Sequence, residues 1–351
     1  MPWRESRLAN RLGLRIPIVQ GPFGGGLSSP VLAAAVSNSG GLGSFGAHHL
    51  TPAQIGRVAQ EIRALTDGPF ALNLWVGDRD PGGDQLTEQA LEWLRPYCQE
   101  LGIELPEAVE RYGQRFEEQL PALLEASPAV FSFVYGIPER SVLEECRNRR
   151  ILTLGTATSE KEAVALEEAG VDAIVATGFE AGGHRVSFLE EAENCLMGSL
   201  SLIPRVVDKV TVPVVAAGGI ADGRGIMAAF ALGADAVQIG TAFLACQESA
   251  APQVHREALF SEQAARTVLT RAFTGRLARG IANRLSQEQP PLGYPAQGWM
   301  TGHLKRAAVL QGRTDLMSLW AGQSAPLIRH HSAASLINSL EQEVEKIRLS
   351  L

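Results

Sequence analysis

The sequence predicts a (β/α)8 barrel, an α/β fold of the TIM-barrel type in which eight parallel strands alternate with covering helices. The first observation behind this is a set of eight short apolar runs, most of them with a glycine at or near the C-terminal end. They are IPIVQGP (16–22), GLGSFGA (41–47), FALNLWV (70–76), VFSFVYG (130–136), ILTLGTA (151–157), AIVATG (173–178), VPVVAAGG (212–219) and AVQIGTAF (236–243). Each is apolar on both alternating faces, as a strand covered on both sides must be. The second observation is that amphipathic helical patterns separate most of these runs, which is the alternation that builds a parallel sheet. A doubly wound open sheet shares that alternation, but such sheets usually stop at fewer strands.

The helices carry their own start and stop signals. SSPVLAAAVSNSG opens on serines and a proline and stops at Gly40. In TSEKEA either Thr158 or Ser159 can cap, with glutamates in the next turn. TPAQIGRVAQEIRALTDG and DGRGIMAAFALG read the same way. The unit after the third strand is swollen. Residues 78–128 are therefore expected to form a helical insertion capping the barrel, which itself takes residues 1–77 and 129–250. Residues 251–351 are expected to be largely helical, broken at QEQPPLGYPAQG, completing the barrel and covering the site.

Composition narrows the function. With 351 residues, 45% apolar and 20% charged, the chain matches an ordinary globular enzyme. A net charge of −7 argues against a general nucleic-acid or anionic-membrane binder. Cys98, Cys146, Cys195 and Cys246 share no C-x-x-C spacing and read as reduced thiols of a cytoplasmic protein. No signal-peptide core and no membrane-length apolar run is found. No H-x-x-H, H-E-x-x-H or carboxylate cluster points to a metal.

In barrels the chemistry gathers where the strands end, with phosphate often bound after strands seven and eight. Strand seven ends in AAGGIADGRG, where Gly218 and Gly219 free the backbone and a helix begins near Asp222. Strand eight ends in QIGTAF, where Gly240 and Thr241 offer open backbone and a hydroxyl. Either loop alone fits a tight turn equally well; the pair on adjacent strands favours a bound anion. No G-x-x-x-x-G-K-[ST] and no G-x-G-x-x-G after the first strand accompany them. The first strand ends in QGPFGGGLSS, where the glycines leave room for a flat ligand or make a flexible lid. Asn73, polar within an apolar strand, must bond a heteroaromatic ring edge or a neighbouring strand. His184 follows Gly182 and Gly183 at the end of strand six, beside the expected phosphate loops. It is expected to be a base or hydrogen-bond donor, the alternative being a loop histidine with a structural bond. Glu180 is placed to orient that loop. His48 and His49, and His330 and His331 in a polar C-terminal helix, are expected on the surface.

Several of these stretches together resemble the nitronate monooxygenase family, FMN-dependent TIM-barrel flavoproteins formerly called 2-nitropropane dioxygenases. They are PIVQGPFGGGLSSPVLAAAVSNSGGLGSFGA, GTATSEKEA, GFEAGGHR, PVVAAGGIADGRGIMAAFALGADAVQIGTAFL, TRAFTGRLARGIANR and LWAGQSAPLIR. They run in order over nearly the whole chain, most weakly in 78–128. The resemblance implies FMN phosphate held by Gly218 and Gly219 and by Gln238, Ile239, Gly240 and Thr241. It implies ring contacts from Pro22, Phe23, Gly24 and Asn73, with Thr177, Gly182 and Gly183 nearby, and makes His184 the catalytic histidine. Two departures stand out. Thr177 replaces a usual glutamine, so a flavin contact there is shorter or water-mediated. Gly21-Pro22-Phe23 replaces A-P-M and makes the substrate side bulkier. The implied reaction is oxidation of alkyl nitronates, such as propionate 3-nitronate, by FMN and O2 to carbonyl compounds and nitrite. The rivals are an NADH:quinone reductase or enoyl-thioester reductase on the same scaffold, and a flavin-binding protein without catalysis. A homodimer is compatible with any of these.

Overall fold

The computed structural model describes residues 3–350. All eight expected runs form strands: Ile18–Gln20, Gly43–Gly46, Phe70–Trp75, Val130–Val134, Leu152–Ala157, Ala173–Thr177, Val214–Ala217 and Ala236–Ile239. Every pairing among them is parallel, and the spatial order follows the chain, with strand eight returning to pair with strand one. The ring closes between strands one and two. There the Gln20 N–H donates to the Leu42 carbonyl at 2.9 Å, and Leu42 N–H donates to Ile18 at 2.9 Å. This closure distinguishes the barrel from the doubly wound alternative.

The barrel interior is filled by small and branched side chains, among them Val19, Ala71, Val130, Leu154, Val175 and Val215. Leu8 and Ala9 of the N-terminal helix Arg7–Leu12 join that cluster and stopper its lower end. The outer helices begin on caps read in the sequence. Ser29 accepts from Leu32 N–H ahead of Pro30, and Ser159, not Thr158, caps Glu160–Ala169. Each cap satisfies N–H groups the helix cannot pair internally.

Residues 78–128 supply two helices that go to different places. Phe116–Ala126 lies on the barrel wall, where Phe116 and Leu123 share an apolar cluster with Ile55, Ile62 and Phe131. Glu88–Leu101 instead packs on Ala296–Leu310, with Leu94 and Leu101 in one cluster with Met300 and Leu304. The last helix, Ala333–Ser350, fits between Gly223–Ala231 and Pro30–Asn38 and completes the outer ring. Gly223 permits this, since a Cβ there would lie 2.5 Å from Glu343 Cβ.

Two features differ from the sequence reading. The C-terminal segment also contains an antiparallel ribbon, Thr267–Thr270 with Ala278–Ile281, whose second strand pairs with Gly183–His184. Four-residue strands leave too short an alternation to read in the sequence. His330 and His331 precede the last helix and do not lie within it. His331 packs on Phe260 with ring centroids 4.1 Å apart. No helix among the described residues is long and apolar enough to cross a membrane.

Candidate active site

A cavity of about 790 Å³ opens at the C-terminal ends of the strands, roofed by the 78–115 excursion and the C-terminal segment. Its wall collects Pro22, Phe23, Gly24, Asn73, Thr177, Gly182, Gly183, His184, Gly218, Gly219, Gln238, Gly240 and Thr241. Of the residues the resemblance assigns to the cofactor or to catalysis, only Ile239 stays behind this wall. Its side chain is in the core, and its carbonyl accepts from Gly21 N–H at 2.9 Å.

The two glycine loops lie side by side on strands seven and eight. Gly218 and Gly219 take φ of +95° and +75°, a region that residues with a Cβ rarely enter. Among the described residues, the N–H groups of Gly218, Gly219 and Gly240 have no protein acceptor. The helix that follows is already capped by Asp222, which accepts from Arg224 and Gly225 N–H. The Thr241 hydroxyl accepts from Gly322 N–H at 3.0 Å and keeps its proton for a ligand. Asn73 makes the bond to a neighbouring strand and also reaches the cavity. Its Nδ2 donates to Ser132 Oγ at 3.0 Å on the neighbouring strand, while its side chain also lines the cavity.

The loop carrying His184 is pinned from three sides. Glu180 accepts from Ser199 N–H and Oγ–H. Arg185, fully buried, donates to the carbonyls of Thr177, Gly178 and Cys195. Gly182 touches main chain, since a Cβ there would lie 2.5 Å from Gly322 N. His184 is then held between Trp75 and Trp320, with ring centroids at 5.0 and 5.3 Å. Its Nε2 lies 2.9 Å from Thr274 Oγ1. Burial, then the nearby charges of Arg276 and Lys305, push its pKa down to about 3. A neutral imidazole therefore faces the cavity at physiological pH.

His48 corrects a sequence expectation. It lies on the cavity wall, stacked face to face on Trp75 at 3.9 Å and 9°, with its Nδ1 unpartnered; His49 adjoins it. Burial first, then His49, His184 and Arg276, hold the His48 pKa well below the ordinary value. Its position just past the end of strand two was the available signal. Arg276 stands behind the histidines, paired with Asp80 at 2.6 Å and lying 4.0 Å over the Tyr135 ring and 4.4 Å over Tyr294. Lys305 and Arg306 also line the cavity. Burial, then Arg306, lowers the Lys305 pKa to about 8, and no carboxylate among the described residues pairs with it. No group of three His, Cys, Asp or Glu side chains could hold a metal among the described residues.

These shifts have a consequence for stability. The unfolded chain binds protons on His184 near pH 6.5, while the fold refuses them down to about 3, so stability is complete above 6.5 and lost as pH falls. His255, held at about 4 by burial, acts in the same direction. Thermal melts of the protein should therefore shift downward between pH 7 and pH 5. An unchanged or rising melting temperature over that interval would contradict the buried neutral histidines.

The model of one family, nitronate monooxygenase, matches residues 5–343 of this chain. The chain belongs to the nitronate monooxygenase family. A probable nitronate monooxygenase of Staphylococcus aureus (strain JH9) is 39% identical, covering 98% of this chain and 99% of its own. Among solved structures, the nitroalkane oxidase from Streptomyces ansochromogenes is 39% identical, with a TM-score of 0.87 over 98% of this chain and 99% of that one. FabK from Thermotoga maritima is more distant, at 29% identity and a TM-score of 0.76 over 99% of both chains. As a nitronate monooxygenase family member the chain is an oxidoreductase of small molecules, and the family's enzymes are flavoenzymes.

Proposed function

We propose that this enzyme oxidises alkyl nitronates, propionate 3-nitronate among them, with FMN and O2, yielding a carbonyl compound and nitrite. The observation that carries this reading is one cavity in which two glycine loops, a neutral His184 and an unpaired Lys305 converge.

The residues present fit FMN. Free N–H groups at Gly218, Gly219 and Gly240, with the Thr241 hydroxyl, make a cradle for one terminal phosphate. Gln238 and Asn73 present amides to the cavity for the edge of a flavin ring, and Pro22, Phe23 and Gly24 supply a flat main-chain wall. When bound, the flavin supplies the redox step, taking electrons from substrate and passing them to O2. The protein's own groups do the rest. Lys305 and Arg306 bind the anionic substrate, and an anion there relieves the cost of a half-buried unpaired Lys305 cation. His184 takes the α-proton from a neutral nitroalkane at the ring nitrogen that faces the cavity. Trp75, Trp320 and His48 form an aromatic wall that keeps water from the reacting end.

Denatured, the yellow protein should release one FMN per chain. Recovery of FAD, or a colourless protein that takes up no FMN, would overturn the cofactor assignment.

A further inference from the structure

We propose that Thr274 is a positioning residue that holds His184 as the Nε2–H tautomer, leaving Nδ1 as the proton acceptor that faces the cavity. Its catalytic use rests on the reaction proposed above; the tautomer itself is a property of the protein.

Donors and acceptors compete for one proton in this buried turn. Thr274 Oγ1 lies 2.9 Å from His184 Nε2. The same hydroxyl is placed to donate to the Arg276 carbonyl at 3.3 Å and to accept from Arg276 N–H at 3.4 Å. The hydroxyl has one proton, and two neighbours could receive it. The carbonyl can only accept, whereas imidazole Nε2 can accept or donate according to tautomer. Turning the hydroxyl proton toward Nε2 would take it from a carbonyl that has no other hydrogen bond among the described residues, a cost the other arrangement avoids. Every group is satisfied only if Thr274 donates to the carbonyl and His184 Nε2–H donates to Thr274.

The surrounding fold keeps this choice fixed. His184 is registered against Ala278 in the ribbon, and Thr274 sits in the turn joining the ribbon's two strands. The Arg276 side chain anchors that turn through Asp80. Nδ1 makes no hydrogen bond to the described residues, while the ring lines the cavity.

The test is a long-range 1H–15N correlation spectrum of the flavin-loaded protein labelled at its histidines, with His184 assigned by its loss in His184→Asn. The expected wild-type pattern is protonated Nε2 and bare Nδ1, retained in Thr274→Ser. In Thr274→Val the Nδ1–H form should grow by about 2- to 10-fold, the scale of one neutral hydrogen bond. Turnover of a neutral nitroalkane should then fall in kcat in proportion to the share of the Nε2–H form that is lost, with the KM for nitronate unchanged and serine restoring the rate. A wild-type His184 carrying its proton on Nδ1 would overturn the proposal even if the valine variant fails to fold. So would a valine variant with unaltered tautomer and kcat. An Nε2–H imidazole in a protein that turns over no nitro compound supports the tautomer assignment and overturns the reaction class instead.

Discussion

Replacing His184 with asparagine is expected to cut turnover of a neutral nitroalkane by roughly 10²- to 10⁴-fold, the usual contribution of a positioned general base. Nitronate turnover should fall less, by under about 10-fold, because that substrate has already lost its proton and the bare ring nitrogen offers its oxygens no charge-assisted hydrogen bond. Flavin content should be unchanged, since the proposed phosphate cradle lies on the loops after strands seven and eight. The unequal losses discriminate between readings. A purely structural histidine, held by Thr274 and by contact with Trp75 and Trp320, predicts equal losses on both substrates and a lower melting temperature. Wild-type rates on both substrates would remove His184 from the chemistry.

Asp80→Ala should destabilise the protein by about 3 kcal/mol, the lower end for breaking a buried pair. Its partner Arg276 is 6% exposed, and Asp80, at 31%, keeps some access to water. Without the carboxylate, a guanidinium is left among Trp75, Tyr135 and Tyr294 with Nη1 already unpaired. Arg276→Met should cost less, since an apolar chain leaves no buried charge, and adding it to Asp80→Ala should recover stability. Denaturant midpoints of the three variants check the order. A double variant less stable than Asp80→Ala alone would contradict this account.

The barrel was legible because parallel strands covered on both faces leave continuous apolar runs, and each of the eight became a strand. The site was legible to the same depth. Glycines at strand ends mark where main chain can approach a ligand, and Gly218, Gly219, Gly240 and His184, read this way from the sequence, line one cavity. What could not be read depended on contacts between distant segments. Arg276 and Asp80 are 196 positions apart, and nothing local to either foretells the pair. His48 reads as a surface residue because it lies in the loop beyond strand two, but Trp75 and Gly24 enclose it once the barrel closes. Lys305 lies in a helix of ordinary composition and reaches the cavity through where that helix is docked. The ribbon that pairs with Gly183–His184 was hidden by its length.

The most direct test of the central claim is aerobic turnover of propionate 3-nitronate by the purified, flavin-loaded protein, with O2 uptake and nitrite release followed together. The expected result is nitrite formed with oxygen consumed and no NADH required, while NADH added anaerobically leaves the flavin oxidised. Rapid bleaching of the flavin by NADH, with no nitrite from the nitronate, would contradict the account and assign this cavity to a reductase.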